Sequence, residues 1–237
     1  MSSGMGHNAL WGLVIQSDFM TKVVMLTLFF MSIVCWAIAL YKLILLKIKQ
    51  EQCRKVLEQI RECSTLAGVL QIAQDNRKTL PGYLLVQLLT HAKSAQEADS
   101  IELFQLQADG VLDDLMYQEE AYTPVLTISA SVATLLGLFG TVWGLIHAFV
   151  RISEKQSADI VAVAPGISEA LITTIAGLFV AIPALVFSQY IMLRMKNMEY
   201  SLMTLTDKVT MLVRLSMVRG MKSESTVHAT KQDHTLL

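Results

Sequence analysis

Charge is what this sequence lacks. Only 16% of its 237 residues are Asp, Glu, Lys or Arg, where a soluble domain typically carries about 25%. The deficit is concentrated, because residues 23–41, 121–150 and 170–193 hold no charged side chain at all. Cysteine is also sparse. Cys35, Cys53 and Cys63 are odd in number and without metal-ligand spacing, which argues against a disulfide framework and a zinc site and leaves reduced, inert thiols. No Gly-rich phosphate loop, nucleophile–base pair or internal repeat occurs, and no basic stripe with interleaved aromatics accompanies the formal net charge of −1. An enzyme and a nucleic-acid binder therefore have no support, and neither a cofactor nor a metal is expected.

What the chain does have is apolar length, with 53% hydrophobic residues and a mean hydropathy of +0.48. Crossing a hydrocarbon layer of about 30 Å takes roughly 20 mostly apolar residues, and three windows meet that length, the first only just. Three buried helices of a soluble protein would need far more polar chain around them. The first window is not a cleaved signal peptide: its leading flank holds only Lys22 next to the run, and the positive charges follow it. Those charges are Lys42, Lys47, Lys49, Arg54 and Lys55, so the positive-inside rule puts the N-terminus outside and the next segment in the cytoplasm. Arg194 and Lys196 agree with a C-terminus inside; Arg151 and Lys155 are a mild exception offset by Glu154 and Asp159.

The expected class is an all-α membrane protein of three transmembrane helices with long cytoplasmic helical extensions. Its expected segments are an outer N-terminus (1–22), a first span (23–46), a cytoplasmic helical domain (47–120), a second span (121–150), an outer loop (151–163), a third span (164–193) and a cytoplasmic C-terminal helix and tail (194–237). Cys53, Val56, Leu57 and Ile60 recur at helical spacing, as do Leu66, Val69, Leu70 and Ala73, and then Ile101, Phe104, Ala108, Val111 and Leu115. Pro81 and Gly82 break the pattern between them. Thr123-Pro124 reads as a helix start, leaving open whether the preceding helix runs on or restarts there. Beyond the third span, Met198, Leu202, Leu205, Val209 and Leu212 alternate steps of four and three, the spacing of a packing seam. From about Lys222 the Ser/Thr/His/Lys-rich tail loses periodicity and reads as disordered.

The spans differ chemically. The first is Leu-, Phe-, Met- and Ile-rich on all sides and reads as lipid-facing. The second carries small residues at Ala130, Ala133, Thr134, Gly137, Gly140, Thr141, Gly144 and Ala148; the third at Gly166, Ala170, Thr173, Gly177, Ala181, Ala184 and Ser188. Small stripes let backbones approach closely within a membrane, so these two spans are expected to pack tightly, within and between subunits. Glu169, one turn after a Pro165 that fits the first turn of the third helix, opens that helix's uncharged run. A carboxylate entering a bilayer is costly and reads as functional; the alternative is an interfacial Glu reaching water or a neighbouring subunit. Thr141, Thr173 and Thr174 lie deeper, and each hydroxyl either lines a hydrated path or bonds back to its own helix. Pro183 frees the Phe179 carbonyl inside the third span. His147 reads as an interfacial structural residue ahead of a proton relay. Three helices with one carboxylate cannot enclose an ion path, so conduction requires an oligomer or a partner.

Gly137-Leu-Phe-Gly-Thr-Val-Trp-Gly-Leu-Ile-His-Ala-Phe149 and Ala164-Pro-Gly-Ile-Ser-Glu-Ala-Leu-Ile-Thr-Thr-Ile-Ala-Gly-Leu-Phe-Val-Ala-Ile-Pro183 resemble the signature of the TolQ/ExbB/MotA family. The likeness is specific over the second and third spans and extends to the overall layout; the first 120 residues resemble the family in pattern only. It implies an inner-membrane proton-channel subunit, a homopentamer surrounding single-span TolR/ExbD-type helices that supply an Asp, and force delivered to a TolA- or TonB-type protein. Thr141, Thr174 and Glu169 match the family's pathway positions. Thr173, where relatives often have Ala, is a departure that adds a hydroxyl. The His147-Ala-Phe149 ending resembles the TolQ branch more than the ExbB branch, so a Tol-Pal-type role in outer-membrane integrity and cell division is expected ahead of an ExbB-type role in TonB-dependent uptake. A membrane scaffold that binds a partner without conducting is the reading from another class.

Overall fold

The structure, a computed structural model, describes residues 18–63, 65–97, 100–155 and 160–233. Its helices are α1 (Phe19–Glu62), α2 (Leu66–Asp75), α3 (Leu80–Glu97), α4 (Ile101–Glu120), α5 (Thr123–Lys155) and α6 (Ile160–Asp233), with no strand among the described residues. Three stretches, within Phe19–Glu62, Thr123–Glu154 and Val163–Val218, are long and apolar enough to cross a membrane. The all-helical, three-span architecture is therefore what the sequence leads one to expect.

The helix starts follow local chemistry. The orphan N–H groups of a first turn need acceptors, and hydroxyls supply them: Thr65 accepts from the Gly68 amide at 3.4 Å, Thr79 from Gly82 at 3.2 Å and Ser100 from Leu103 at 3.3 Å. Pro81 and Gly82 thus lie inside the first turn of α3, and the break falls just before it. Gly82 is required there, because a Cβ would collide with the Asn76 carbonyl. The helix does not run through from α4 into α5. Ala121 leaves helical geometry and Tyr122 takes a left-handed φ of 69°, which costs a non-glycine residue about 1 kcal/mol and forces a restart at Thr123.

Three expectations need correction. Pro165 is not in a first turn: α6 begins at Ile160, so both Pro165 and Pro183 sit inside it, and the helices bracketing the second loop reach Lys155 and Ile160. Helix also continues through Asp233, past the Lys222 where sequence periodicity ends. And the first span is not lipid-facing all round. Val24, Leu28, Cys35 and Ala39 form a buried face, with Leu28 only 1% exposed.

The chain divides into two compact units. One comprises residues up to 43 and 122–192. Its core joins Val24 and Leu28 of α1 to Ala133 of α5 and Val180 and Ala181 of α6; Cys35, Ala130 and Ala184 form a second cluster. The opposite side of α1 presents Leu26, Phe29, Phe30, Ile33 and Val34, as a membrane-facing surface does. The other unit comprises residues 44–121 and 193–237. Cys53, Val56, Ile60, Val69, Ala73, Phe104 and Ala108 are buried there, and so is every residue of the seam Met198, Leu202, Leu205, Val209 and Leu212. Its polar ties run from α1: Lys49 pairs with Glu119 of α4, while Gln50 donates to the Arg194 carbonyl at 2.7 Å and accepts from the Arg194 guanidinium at 3.0 Å.

Candidate functional site

The small residues of α5 and α6 meet face to face. A Cβ on Gly140 would lie 2.6 Å from the Thr173 Cβ, and one on Gly177 would lie 2.6 Å from the Ala133 carbonyl and 3.0 Å from the Gly137 Cα. Gly144 is closed off by Ala170 and the Gly166 carbonyl, and Gly137 by Thr173 and Thr174. A side chain at Gly177 would run into the α5 backbone and one at Gly140 into the Thr173 side chain, so the stripes serve contact between two helices of one chain.

The contact holds the hydroxyls in distinct settings. Thr174 donates across the helices to the Gly137 carbonyl at 3.1 Å. That bond has two consequences: it fixes the register of α5 against α6, and it satisfies a second lone pair on a carbonyl already in a helix. Thr173, 0% exposed, bonds back to the Ala170 carbonyl at 2.7 Å and fills the space left by Gly140. Thr141 is half-buried and bonds back to Leu138 at 2.6 Å. Near the start of α5, Thr127 and Ser188 of α6 share a hydrogen bond of 2.6 Å. Glu169 is 8% exposed, and among the described residues no hydrogen bond reaches its carboxylate. A carboxylate so placed in an apolar span needs water, a proton or a partner from outside the chain. Pro183 borders a crevice lined by Ser32, Cys35, Trp36 and Phe187, and the Trp36 and Phe187 rings meet edge to face at 5.2 Å.

His147 has a companion that the sequence reading missed. Trp143, one turn before it, donates its indole N–H to the Asp18 carboxylate at 3.0 Å, and His147 Nε2 lies 3.7 Å from the same oxygen. The Trp143 hydrogen bond holds the Asp18 carboxyl below its usual range, helped by the Met20 and Phe19 amides. Asp18 was detectable in principle, since an Asp directly before a long apolar helix is an N-cap signal; its contact with α5 was not.

The sequence pattern of a known family covers the region that contains these side chains: its match runs over residues 78–203, more than half of the chain. The chain belongs to the MotA/TolQ/ExbB proton channel family. Among curated members of that family it is 30% identical over 187 residues to the biopolymer transport protein ExbB of Pseudomonas putida, an alignment covering 77% of this chain and 57% of that protein. To ExbB of Neisseria meningitidis serogroup B it is 30% identical over 162 residues, covering 65% and 74%. To the Tol-Pal system protein TolQ of Haemophilus influenzae it is 45% identical over 91 residues, covering 38% and 40%. Thr141, Glu169, Thr173, Thr174 and the α5–α6 glycines all fall within the family match, whereas Asp18 lies outside it.

Proposed function

We propose that this chain is the channel-forming subunit of an inner-membrane motor driven by proton flow, of the Tol-Pal type, in which Thr141, Thr174 and Glu169 border the proton path. The observation that carries this reading is Glu169: a carboxylate 8% exposed at the head of an uncharged run, within the segment matched by a proton channel family. A scaffold needs close helices but not a costly buried carboxylate. One charge moving through 100 mV releases about 2.3 kcal/mol, enough to drive a conformational step. Because one chain offers three spans and one such carboxylate, the path is completed in a homopentamer around single-span TolR/ExbD-type helices, each contributing an Asp whose proton is exchanged inside the ring. The output passes to a TolA- or TonB-like protein. The N-terminus and the loop after α5 face the periplasm; residues 47–120 and the C-terminus face the cytoplasm. The 45% identity to a TolQ over 91 residues favours the Tol-Pal role; the longer alignments to ExbB proteins support uptake through a TonB-like protein as the second reading.

Thr-to-Val substitution keeps shape and removes the hydroxyl. The Thr141→Val, Thr174→Val protein should assemble with its single-span partner yet fail to restore detergent resistance to cells lacking TolQ. Assembly with wild-type resistance would remove the hydroxyls from the path and favour the scaffold. Glu169→Gln separates charge from polarity, and rescue of cells lacking ExbB but not TolQ would transfer the chain to the uptake role.

A further inference from the structure

The outward face of α1 carries a notch. Leu26, Phe30, Ile33, Ala37 and Tyr41 follow one another along it at steps of three and four, all exposed and all bulky except Ala37. Beside Ala37 opens a recess of about 360 Å³, lined by Ala37, Ile38, Tyr41 and Tyr122, a size within the roughly 300–1,000 Å³ of ligand pockets. Its floor is apolar and its edges are two exposed phenols. Neither hydroxyl has a hydrogen-bond partner among the described residues. Both tyrosines stand at one rim of the apolar layer: Tyr41 is the last residue of the first uncharged run, and Tyr122 is the second residue of the next. Tyr122 is also held at a φ of 69°, a left-handed geometry that Gly or Asn adopts readily and a bulky side chain does not. The turn between α4 and α5 would be less strained without that ring, so the ring serves something besides the turn.

We propose that this recess is a phospholipid site, which takes an acyl chain along Ala37 and Ile38 and a phosphodiester against the Tyr41 and Tyr122 hydroxyls. The recess is continuous with the membrane-facing side of α1, where Leu26, Phe30 and Ile33 are exposed, so lipid is what lies against it. An acyl chain settling beside Ala37 recovers the dispersion contacts that a void forfeits. Tyrosine suits the headgroup level because its ring is apolar and its tip polar. A phenol O–H donates to a phosphate oxygen, and a bond to an ionised acceptor is stronger than one to a neutral group. The two donors come from different helices, Tyr41 from the first span and Tyr122 from the turn before the second. A phosphate held by both ties the end of one span to the start of the other and offsets the strain at Tyr122. The site reads a chain and a phosphate and nothing of the headgroup beyond, so zwitterionic and anionic phospholipids both fit. It stands whether or not the subunit conducts.

Native mass spectrometry of the full chain, stripped of bulk lipid in detergent and then reloaded, counts what stays bound. Dioleoylphosphatidylethanolamine should be retained saturably, whereas dioleoylglycerol, which lacks the phosphate, and glycerol 3-phosphate, which lacks the chains, should not. Tyr41→Phe with Tyr122→Phe keeps both rings, and should need about tenfold more phospholipid for the same occupancy because the bonds to a charged group are gone. Ala37→Trp fills the notch and should abolish retention, while Leu26→Trp, three turns away on the same face, should leave it unchanged. Tyr122→Gly separates strain from binding: in lipid-free detergent it should unfold at no lower a temperature than the natural chain, yet lose the lipid. Equal retention of dioleoylglycerol, or phospholipid retention that survives Ala37→Trp or the paired Tyr-to-Phe change, would overturn the proposal. So would an Ala37→Trp protein that keeps its lipid and loses its oligomer, since the recess would then belong to a second copy of the chain.

Discussion

Thr173 and Thr174 are neighbours in the chain with different duties: one fills the gap at Gly140, the other reaches across to the Gly137 carbonyl. At this scale a side chain's worth is set by what it touches, and two pairs of residues make that measurable. Leu28 is buried among Val24, Ala133, Val180 and Ala181, whereas Phe30 is 59% exposed on the apolar side of α1. Leu28→Ala should destabilise the folded chain in detergent by about 2–5 kcal/mol, and Phe30→Ala, a larger truncation, by much less; equal losses in thermal unfolding would mean that α1 is oriented otherwise. The second pair is chemical. Burial pushes the Cys53 thiol up from 9.0 to about 12, a difference of three units and hence about a thousandfold less thiolate near neutrality. Cys63 is partly exposed. Maleimide should therefore modify Cys63 in the native protein and Cys53 only after unfolding, as peptide mass spectrometry would read. Because the unfolded thiol ionises first, Cys53 contributes stability that is present below pH 9 and lost as pH rises towards 12.

At the scale of the helices, two kinds of tie hold the residue-44–121 and 193–237 unit: a buried seam along α6 and a polar layer on α1. The Lys49–Glu119 pair is largely enclosed, with side chains 21% and 12% exposed. Breaking such a pair leaves an uncompensated charge, at a cost of the order of 3 kcal/mol. Glu119→Gln should lower the midpoint of chemical unfolding accordingly, and the swap Lys49→Glu with Glu119→Lys should recover much of the loss. A swap no better than the single change would mark the pair as incidental. Helices, seam and spans were legible because periodicity and missing charge report burial directly. The single-sided burial of α1 was not, because Leu, Met and Phe cover both its lipid face and its core face, and hydropathy cannot separate two apolar environments. Nor was the carbonyl each hydroxyl would choose: Thr174 and Thr141 read alike in sequence, and only the approach of Gly137 decides that one bonds across and the other back. The Asp18–Trp143 contact joins residues 125 apart, and no local pattern announces such a pairing.

For the molecule as a whole, the proposed topology has three crossings, which put the segments before α1 and after the apolar stretch of α6 on opposite sides of the bilayer. Which side is which rests on the Lys/Arg cluster after the first span. In a Cys63→Ser background, where Cys35 and Cys53 are buried, single cysteines at Ser94, exposed on α3, and at Ser157, outside the described residues, should label oppositely with an impermeant thiol reagent. Whole cells should label the Ser157 variant; labelling of the Ser94 variant instead would invert the proposed orientation.

Gly140 and Thr173 share one parcel of volume between two helices, and that has a consequence for how the sequence can drift. The space is conserved as a sum, so neither position is free alone. Gly140→Ala should weaken the fold while Thr173 keeps its bulk. With Thr173→Gly beside it, the same change should recover much of the loss, because the new methyl then takes space the threonine held, whereas Thr173→Ala would leave a Cβ 2.6 Å from it. Natural variants of this chain should accordingly trade size across the α5–α6 seam in pairs, the first step costly and the second restoring, so that the order in which the two substitutions arise decides which lineages survive to carry both.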